Sequence, residues 1–506
     1  MDFTGYTPPG VYVEDESSPI VTSAGSPSGL VCIVGPARGY QTDIETLPFI
    51  SGTNVFTLRQ RGIITSDVTG PPAITAPVVT KAGRENPFVE GDDYTLDILD
   101  TEPGGPSNNF VTITRVDEGD GGEIAFNDEV VISYNYADLS YYSPQIFQDY
   151  DTLTSVYGNP FDLSATTPVI NSHVSVAARV AFSNGATQIM VVPTDPSIGD
   201  DESGAYSNQL VDAYNKIESD YRVSVLVPLL VDGYITDNGE GPFISSTTNL
   251  SSFIDDIKAH LTSTEANGYG RIAIIGGPTN LDQDHLELAS DSSSKRIVVA
   301  YPNRLNLSVD SGKTLEVGGY YLAVAYGALL VSGKVNRGLT KRQVSGFYSF
   351  PQSIIQEMTT AFKDNLSKNG VSVTELDRLS RKTVRHGVTT DTSALNYREI
   401  SLVRTADTLY QMLYTGIEAA DLIGQPITVD TTLSIKGIVS GILERAKGDE
   451  TIIGWQDLLV RQQATPLGDP TVIEVKFAYR PAVPLNYISV KFKIDLNSGS
   501  VTTTAV

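Results

Sequence analysis

A single cysteine, Cys32, stands in the 506 residues, so the chain forms neither an internal disulfide nor a zinc site of several thiolates. Histidine is scarce: His173, His260, His285 and His386 are the only four, and none falls in an HExxH or HxxxH arrangement. Basic charge is short, with 35 Lys+Arg against 60 Asp+Glu and a net charge of −25. That excludes a general nucleic-acid binder, which needs a basic footprint to displace counterions from phosphates. The phosphate-cradling pattern GxxxxGK[ST] and the nucleophile elbow GxSxG are both missing. Long hydrophobic runs are missing too. The longest near-apolar stretch, residues 318–335, carries four glycines and a lysine and is short for a bilayer, so it reads as a buried core helix. The opening MDFTGYTPPG has no basic-then-apolar signal pattern. The expectation is a soluble protein of a reducing compartment, neither secreted nor inserted in a membrane.

What is present is a globular balance, 40% apolar and 19% charged, in a length that accommodates about three domains of roughly 150 residues. Charge is uneven along the chain: residues 1–150 are net −16, 151–330 net −12 and 331–506 net +3. An acidic solvated surface and a last third that faces a partner both fit that split, and charge alone does not choose between them.

The pattern along the chain divides into segments. Residues 1–29 are rich in Pro, Gly, Ser and Thr, with one strand-like piece, Val11, Tyr12, Val13 and Glu14; this arm or linker has too few apolar groups to bury itself alone. Residues 30–35 are a continuous apolar run ending at Gly35-Pro36, as a buried strand before a turn would. Residues 53–140 lose all helical period and alternate in β fashion between Gly- and Pro-rich turns, which predicts an inserted all-β domain, a sandwich or barrel. The α/β pattern resumes with strands expected at 187–193, 222–231, 271–276 and 296–301 and helices at 204–219, 249–264 and 281–294. Strands apolar on both faces with helices between them predict a mostly parallel or mixed sheet covered by helices. The expected α/β core comprises 30–52 and 141–350. An α+β C-terminal domain follows at 351–506, with helices at 353–367, 405–423 and 432–447 and alternating strands at 471–479 and 487–495 before a polar tail.

Enzyme chemistry finds little support. Val34-Gly35-Pro36 and Ile275-Gly276-Gly277-Pro278 read as strand-end turns, because proline removes an amide that a phosphate would need. Asp282, Asp284 and His285 offer three metal donors at a helix start, where the two Asp residues equally serve the helix dipole. Ser292 and Lys295 have serine–lysine spacing inside a loop-like run. No catalytic, metal or cofactor residue is assigned.

Several motifs occur in an order that resembles contractile phage tail sheath proteins. They are Tyr6-Thr7-Pro8-Pro9-Gly10-Val11-Tyr12-Val13-Glu14, Leu339 to Phe347, and Val384-Arg385-His386-Gly387-Val388-Thr389-Thr390-Asp391 followed by Arg398, Glu399, Ile400, Ser401 and Arg404. The paired C-terminal strands around Val475-Lys476-Phe477 and Val490-Lys491-Phe492 complete the likeness. The resemblance covers the arm, the α/β core and the C-terminal third.

The resemblance implies a structural subunit, not an enzyme, of a virion tail assembled in the host cytoplasm. It implies hexameric rings stacked helically around a tail tube protein, capped by baseplate and tail terminator proteins, with no cofactor. Contraction would draw on a metastable lattice, where a few kcal/mol per subunit suffices because the bias sums cooperatively. It further implies strand donation between subunits from Val11, Tyr12, Val13 and Glu14 and from Ile488, Val490, Phe492 and Ile494. The accepting sheet would carry Ile473, Val475, Phe477 and Tyr479. Termini that fold back on their own domain are the alternative. Lys436, Arg445 and Lys447 are the candidate tube-facing residues, on a helix that is equally an ordinary solvated face. A bacteriocin or injection-system sheath, a static tube or baseplate component, and an α/β enzyme with a site at the strand ends are the competing readings.

Overall fold

The computed structural model describes residues 29–37, 41–49, 54–65, 76–99, 110–136, 141–162, 168–194, 205–231, 247–279, 285–309, 312–463, 469–486, 493–494 and 501–502. The arm residues Val11 to Glu14 and the strand residues Ile488, Val490 and Phe492 lie outside these.

An eight-stranded mixed sheet organises the chain. Its order is Lys382–Val384, Val371–Leu376, Ile297–Tyr301, Ile272–Gly276, Val223–Pro228, Leu30–Pro36, Ile189–Thr194 and Gln145–Phe147. The six inner strands run parallel and the two short edge strands antiparallel. Successive side chains of Leu30–Pro36 show why the run is uninterruptedly apolar. Val31 and Ile33 enter one core while Leu30, Cys32 and Val34 enter the other. On the first face lie the helices Tyr150–Tyr157, His173–Ser183 and Tyr320–Val331; on the second lie Ala205–Lys216, Thr247–Ala266 and His285–Ser292. The apolar stretch read as a core helix is Tyr320–Val331, every residue of it buried from Tyr320 to Leu330. Among the described residues no helix is long and apolar enough to cross a membrane.

Two boundaries differ from the sequence reading. Gln41–Phe49, expected in the α/β core, pairs along its whole length with Asp128–Tyr136. It therefore belongs to a separate β body, two three-stranded sheets closed around Phe49, Val79, Tyr94, Ile113, Ile132 and Tyr134. Val371–Leu376 and Lys382–Val384, expected beyond residue 350 in the C-terminal part, complete the main sheet. Both shifts come from pairings between distant segments, which local composition does not encode. The helix expected over 353–367 is two, Gln352–Glu357 and Thr360–Lys368, because the Thr359 hydroxyl accepts the Phe362 N–H at 3.2 Å and starts the second.

Candidate assembly surface

Two helices and one hairpin form the C-terminal body. Helix Val429–Gly448 begins at Thr428, whose hydroxyl accepts the Thr431 N–H at 3.1 Å. It buries Ile435, Val439, Ile442, Leu443 and Ala446 against Leu409 and Leu413 of helix Ile400–Glu418. Strand Ile452–Gln462 pairs antiparallel with Ile473–Pro481. A turn signal, Pro466 to Pro470, separates the two segments, of which only the second alternates plainly in the sequence; residues 487–492 of the expected C-terminal strand lie outside the described residues. The Trp455 indole N–H donates to Glu444 at 3.1 Å and ties the hairpin to the helix.

All four residues named for the accepting sheet fall on one face of one strand. Ile473, Val475, Phe477 and Tyr479 pack, half-buried, onto the two helices. Their side chains are thus engaged inside the subunit. What remains open among the described residues is the outer backbone edge of each strand, since this sheet has two strands only. An open edge presents unpaired N–H and C=O groups that template a further strand.

Of the donor residues, only Ile494 is described. It lies in a two-residue strand, Lys493–Ile494, paired antiparallel with Val501–Thr502. The tail expected to be merely polar therefore carries a strand of its own.

The three candidate tube-facing cations are exposed but do not converge. At about 100° per residue, Lys436 and Lys447 fall on one flank of helix Val429–Gly448 and Arg445 on the other, about 180° from Lys436. The ridge between the flanks carries Asp430, Gly437, Gly441 and Glu444. Lys447 also sits 3.7 Å from Glu444.

A buried ionic network that sequence reasoning missed joins this body to the sheet. The Arg296 guanidinium, 2% exposed at the head of Ile297–Tyr301, donates to both Asp407 oxygens at 2.8 Å. Its Nε lies 3.0 Å from Glu265, which also takes Lys295 at 3.1 Å. Burial lowers the Arg296 pKa, but the attraction and hydrogen bonds of Asp407 and Glu265 outweigh it and raise it above its ordinary value. The usable signal was Asp407 three residues after Arg404, a charged pair on the buried side of helix Ile400–Glu418.

A second cluster surrounds Glu375. Its carboxylate accepts from Lys341 at 3.0 Å, Lys363 at 2.8 Å and Arg385 at 2.8 Å, and Arg385 also binds Asp364. Burial pushes Glu375 up, yet these three donors hold it down at about 2.

The residues singled out for chemistry are otherwise engaged. Ser292 donates to the Leu288 carbonyl at 2.7 Å while Lys295 pairs with Glu265. His285 is buried edge-on to Tyr301, with ring centroids 4.9 Å apart; Asp282 and Asp284 lie outside the described residues. At the end of Ile272–Gly276, a Cβ on Gly276 would sit 2.0 Å from the Gly319 carbonyl oxygen, and the Gly319 N–H donates to Gly277 at 2.8 Å. The strand end is filled by the chain itself. Among the described residues no group of three or more His, Cys, Asp or Glu is placed to hold a metal.

No family model matches the chain. Its fold is that of contractile sheath proteins. The cryo-EM structure of the anti-feeding prophage helical sheath in its contracted state superposes with a TM-score of 0.54 at 13% identity, covering 97% of this chain and 100% of that one. The anti-feeding prophage baseplate structure gives 0.52 at 14% identity over the same shares. In sequence, the tail sheath protein of Mycobacterium phage Bxz1 is 28% identical over 460 residues, 87% of this chain and 73% of that protein. The chain is thus similar to contractile tail sheath proteins in sequence and in fold, as the order of its motifs implies.

Proposed function

We propose that this chain is a structural subunit of a contractile tail sheath, of a phage or of a phage-like injection system, with no enzymatic role. The observation that carries the reading is the match to a phage tail sheath protein across 87% of the chain. The fold likeness supports it, and so does the two-stranded hairpin with open edges among the described residues. In finer terms, subunits assemble as hexameric rings stacked helically around a tube. The N-terminal arm over Val11–Glu14 and the C-terminal strand over Ile488–Ile494 each add to the hairpin edge of an adjoining copy. Main-chain hydrogen bonds then keep the lattice connected while subunits turn. The chain divides into an α/β core, a β body between Ala37 and Tyr141, and a C-terminal hairpin body. Baseplate, terminator and tube proteins are its partners, and Lys436, Arg445 and Lys447 make at most weak, screened contacts with the tube.

Electron microscopy of the purified chain tests this. Long hollow cylinders are expected. Dispersed monomers at every concentration and salt would overturn it.

A further inference from the structure

Asn486 is the last described residue before the C-terminal strand, and its side chain is held on the body of the subunit. Its Nδ2 donates to Glu399 Oε1 at 3.0 Å. The same oxygen lies 2.9 Å from His386 Nε2. A carboxylate oxygen only accepts, so Nε2 carries the proton towards it. The 3.4 Å approach of Asn486 Nδ2 to His386 Nε2 is then a packing contact between two donors. Glu399 is 2% exposed and stands at the N-cap of helix Ile400–Glu418, where free N–H groups favour a negative side chain. Arg398 adds a cation 3.9 Å from the same oxygen. The acceptor is therefore fixed by the helix, oriented by His386, and buried enough to make the Asn486 bond worth keeping. The neighbouring Val483 and Leu485 are exposed. Ala482 and Pro484 are only half-buried, so this polar bond is the main tie of the segment to the subunit.

We propose that His386, Glu399 and Asn486 form a clasp that sets the point from which the C-terminal arm leaves the subunit. Asn486 is the positioning residue. The inference rests on the strand-donation reading above. It adds a geometric demand to it: Ile488, the first residue of the proposed donor strand, is two residues beyond the clasp. At about 3.5 Å per residue, the receiving edge of the second copy lies within about 7 Å of the clasp.

The test uses the full chain with a nitroxide on Leu485→Cys. Cys32 is buried, its thiol pushed up to about 12, and stays unmodified. Asn486→Asp keeps the shape but sets a second carboxylate against Glu399. The mobile fraction of the label in the monomer is expected to rise on the order of tenfold. Adding Glu399→Gln to Asn486→Asp swaps donor and acceptor, with the His386 proton moving to Nδ1 so that Nε2 accepts, and is expected to restore the wild-type spectrum. Glu399→Gln alone, which keeps the acceptor, shows that the helix still folds. An unchanged spectrum in Asn486→Asp, or no recovery in the swap, overturns the clasp. Cylinder formation is read on the same variants, with loss in Asn486→Asp and recovery in the swap expected. Wild-type cylinders from a monomer with a freed label overturn the positioning role. Wild-type cylinders from a chain ending at residue 486 overturn strand donation instead.

Discussion

Replacing Asp407 by Asn is the sharpest test of how the C-terminal body is held to the sheet. The Arg296–Asp407 pair is bidentate, with both contacts at 2.8 Å and side chains 2% and 7% exposed. Removing one partner of such a pair leaves a desolvated charge and costs about 3–5 kcal/mol. Here Glu265 stays 3.0 Å from Arg296 Nε and shares that charge, so the loss falls at the lower end, about 3 kcal/mol. Urea unfolding at a concentration where no cylinders form reads it as a lower midpoint at unchanged slope. The pair Arg296→Met with Asp407→Leu removes both charges together. It is expected to recover most of the loss, because two apolar side chains need no partner, and Glu265 keeps Lys295 at 3.1 Å. A loss below about 1 kcal/mol for Asp407→Asn would mean that water already solvates the pair, and the argument from burial would be wrong.

Deleting residues 1–16 should leave a folded monomer by circular dichroism yet abolish cylinders in the microscope; normal cylinders would rule out donation by the N-terminal arm. Excising 41–136 and joining the ends with a short Gly/Ser linker should give a folded, soluble chain, because Ala37 and Tyr141 both lie in the large core. Excising only 53–140 should aggregate, since Gln41–Phe49 then loses its partner Asp128–Tyr136. Solubility of the two deletions decides. Glu375 is held at about 2 against an ordinary 4.5. The folded carboxylate is favoured, so its contribution is present above pH 4.5 and lost as the pH falls towards 2. Glu375→Gln should flatten the stability profile over that window, measured as melting temperature against pH; an unchanged slope would count against the cluster.

Much of the main sheet was legible because its strands are apolar on both faces. Ile189–Thr194, Val223–Pro228, Ile272–Gly276 and Ile297–Tyr301 each fall within a few residues of where the runs of Val and Ile place them. Gln41–Phe49 was misplaced for the opposite reason: half its residues are polar, and only its partner 79 or more residues away defines it. The hairpin was half legible. Ile473, Val475, Phe477 and Tyr479 alternate cleanly, whereas Ile452–Gln462 is broken by a bulge at Asp457, whose φ of 59° interrupts the period. The ionic network left only the trace of Asp407 in its helix, and the Asn486 attachment left none. A buried charge is recognised by its partner, and Arg296 and Asp407 are 111 residues apart, Asn486 and Glu399 87.

Helix Ile400–Glu418 has its two halves in different cores. Ile400 and Val403 are packed beneath the sheet, and Leu409 and Leu413 beneath the hairpin. Nineteen residues of continuous helix make a shaft about 28 Å long, with Asp407 pinned at its midpoint. A pull exerted on the hairpin by an adjoining copy would therefore travel as torque into the eight-stranded sheet with no joint in between. In a collapsing tail, such a subunit would turn as one piece, and the give would be left to the links that run from copy to copy.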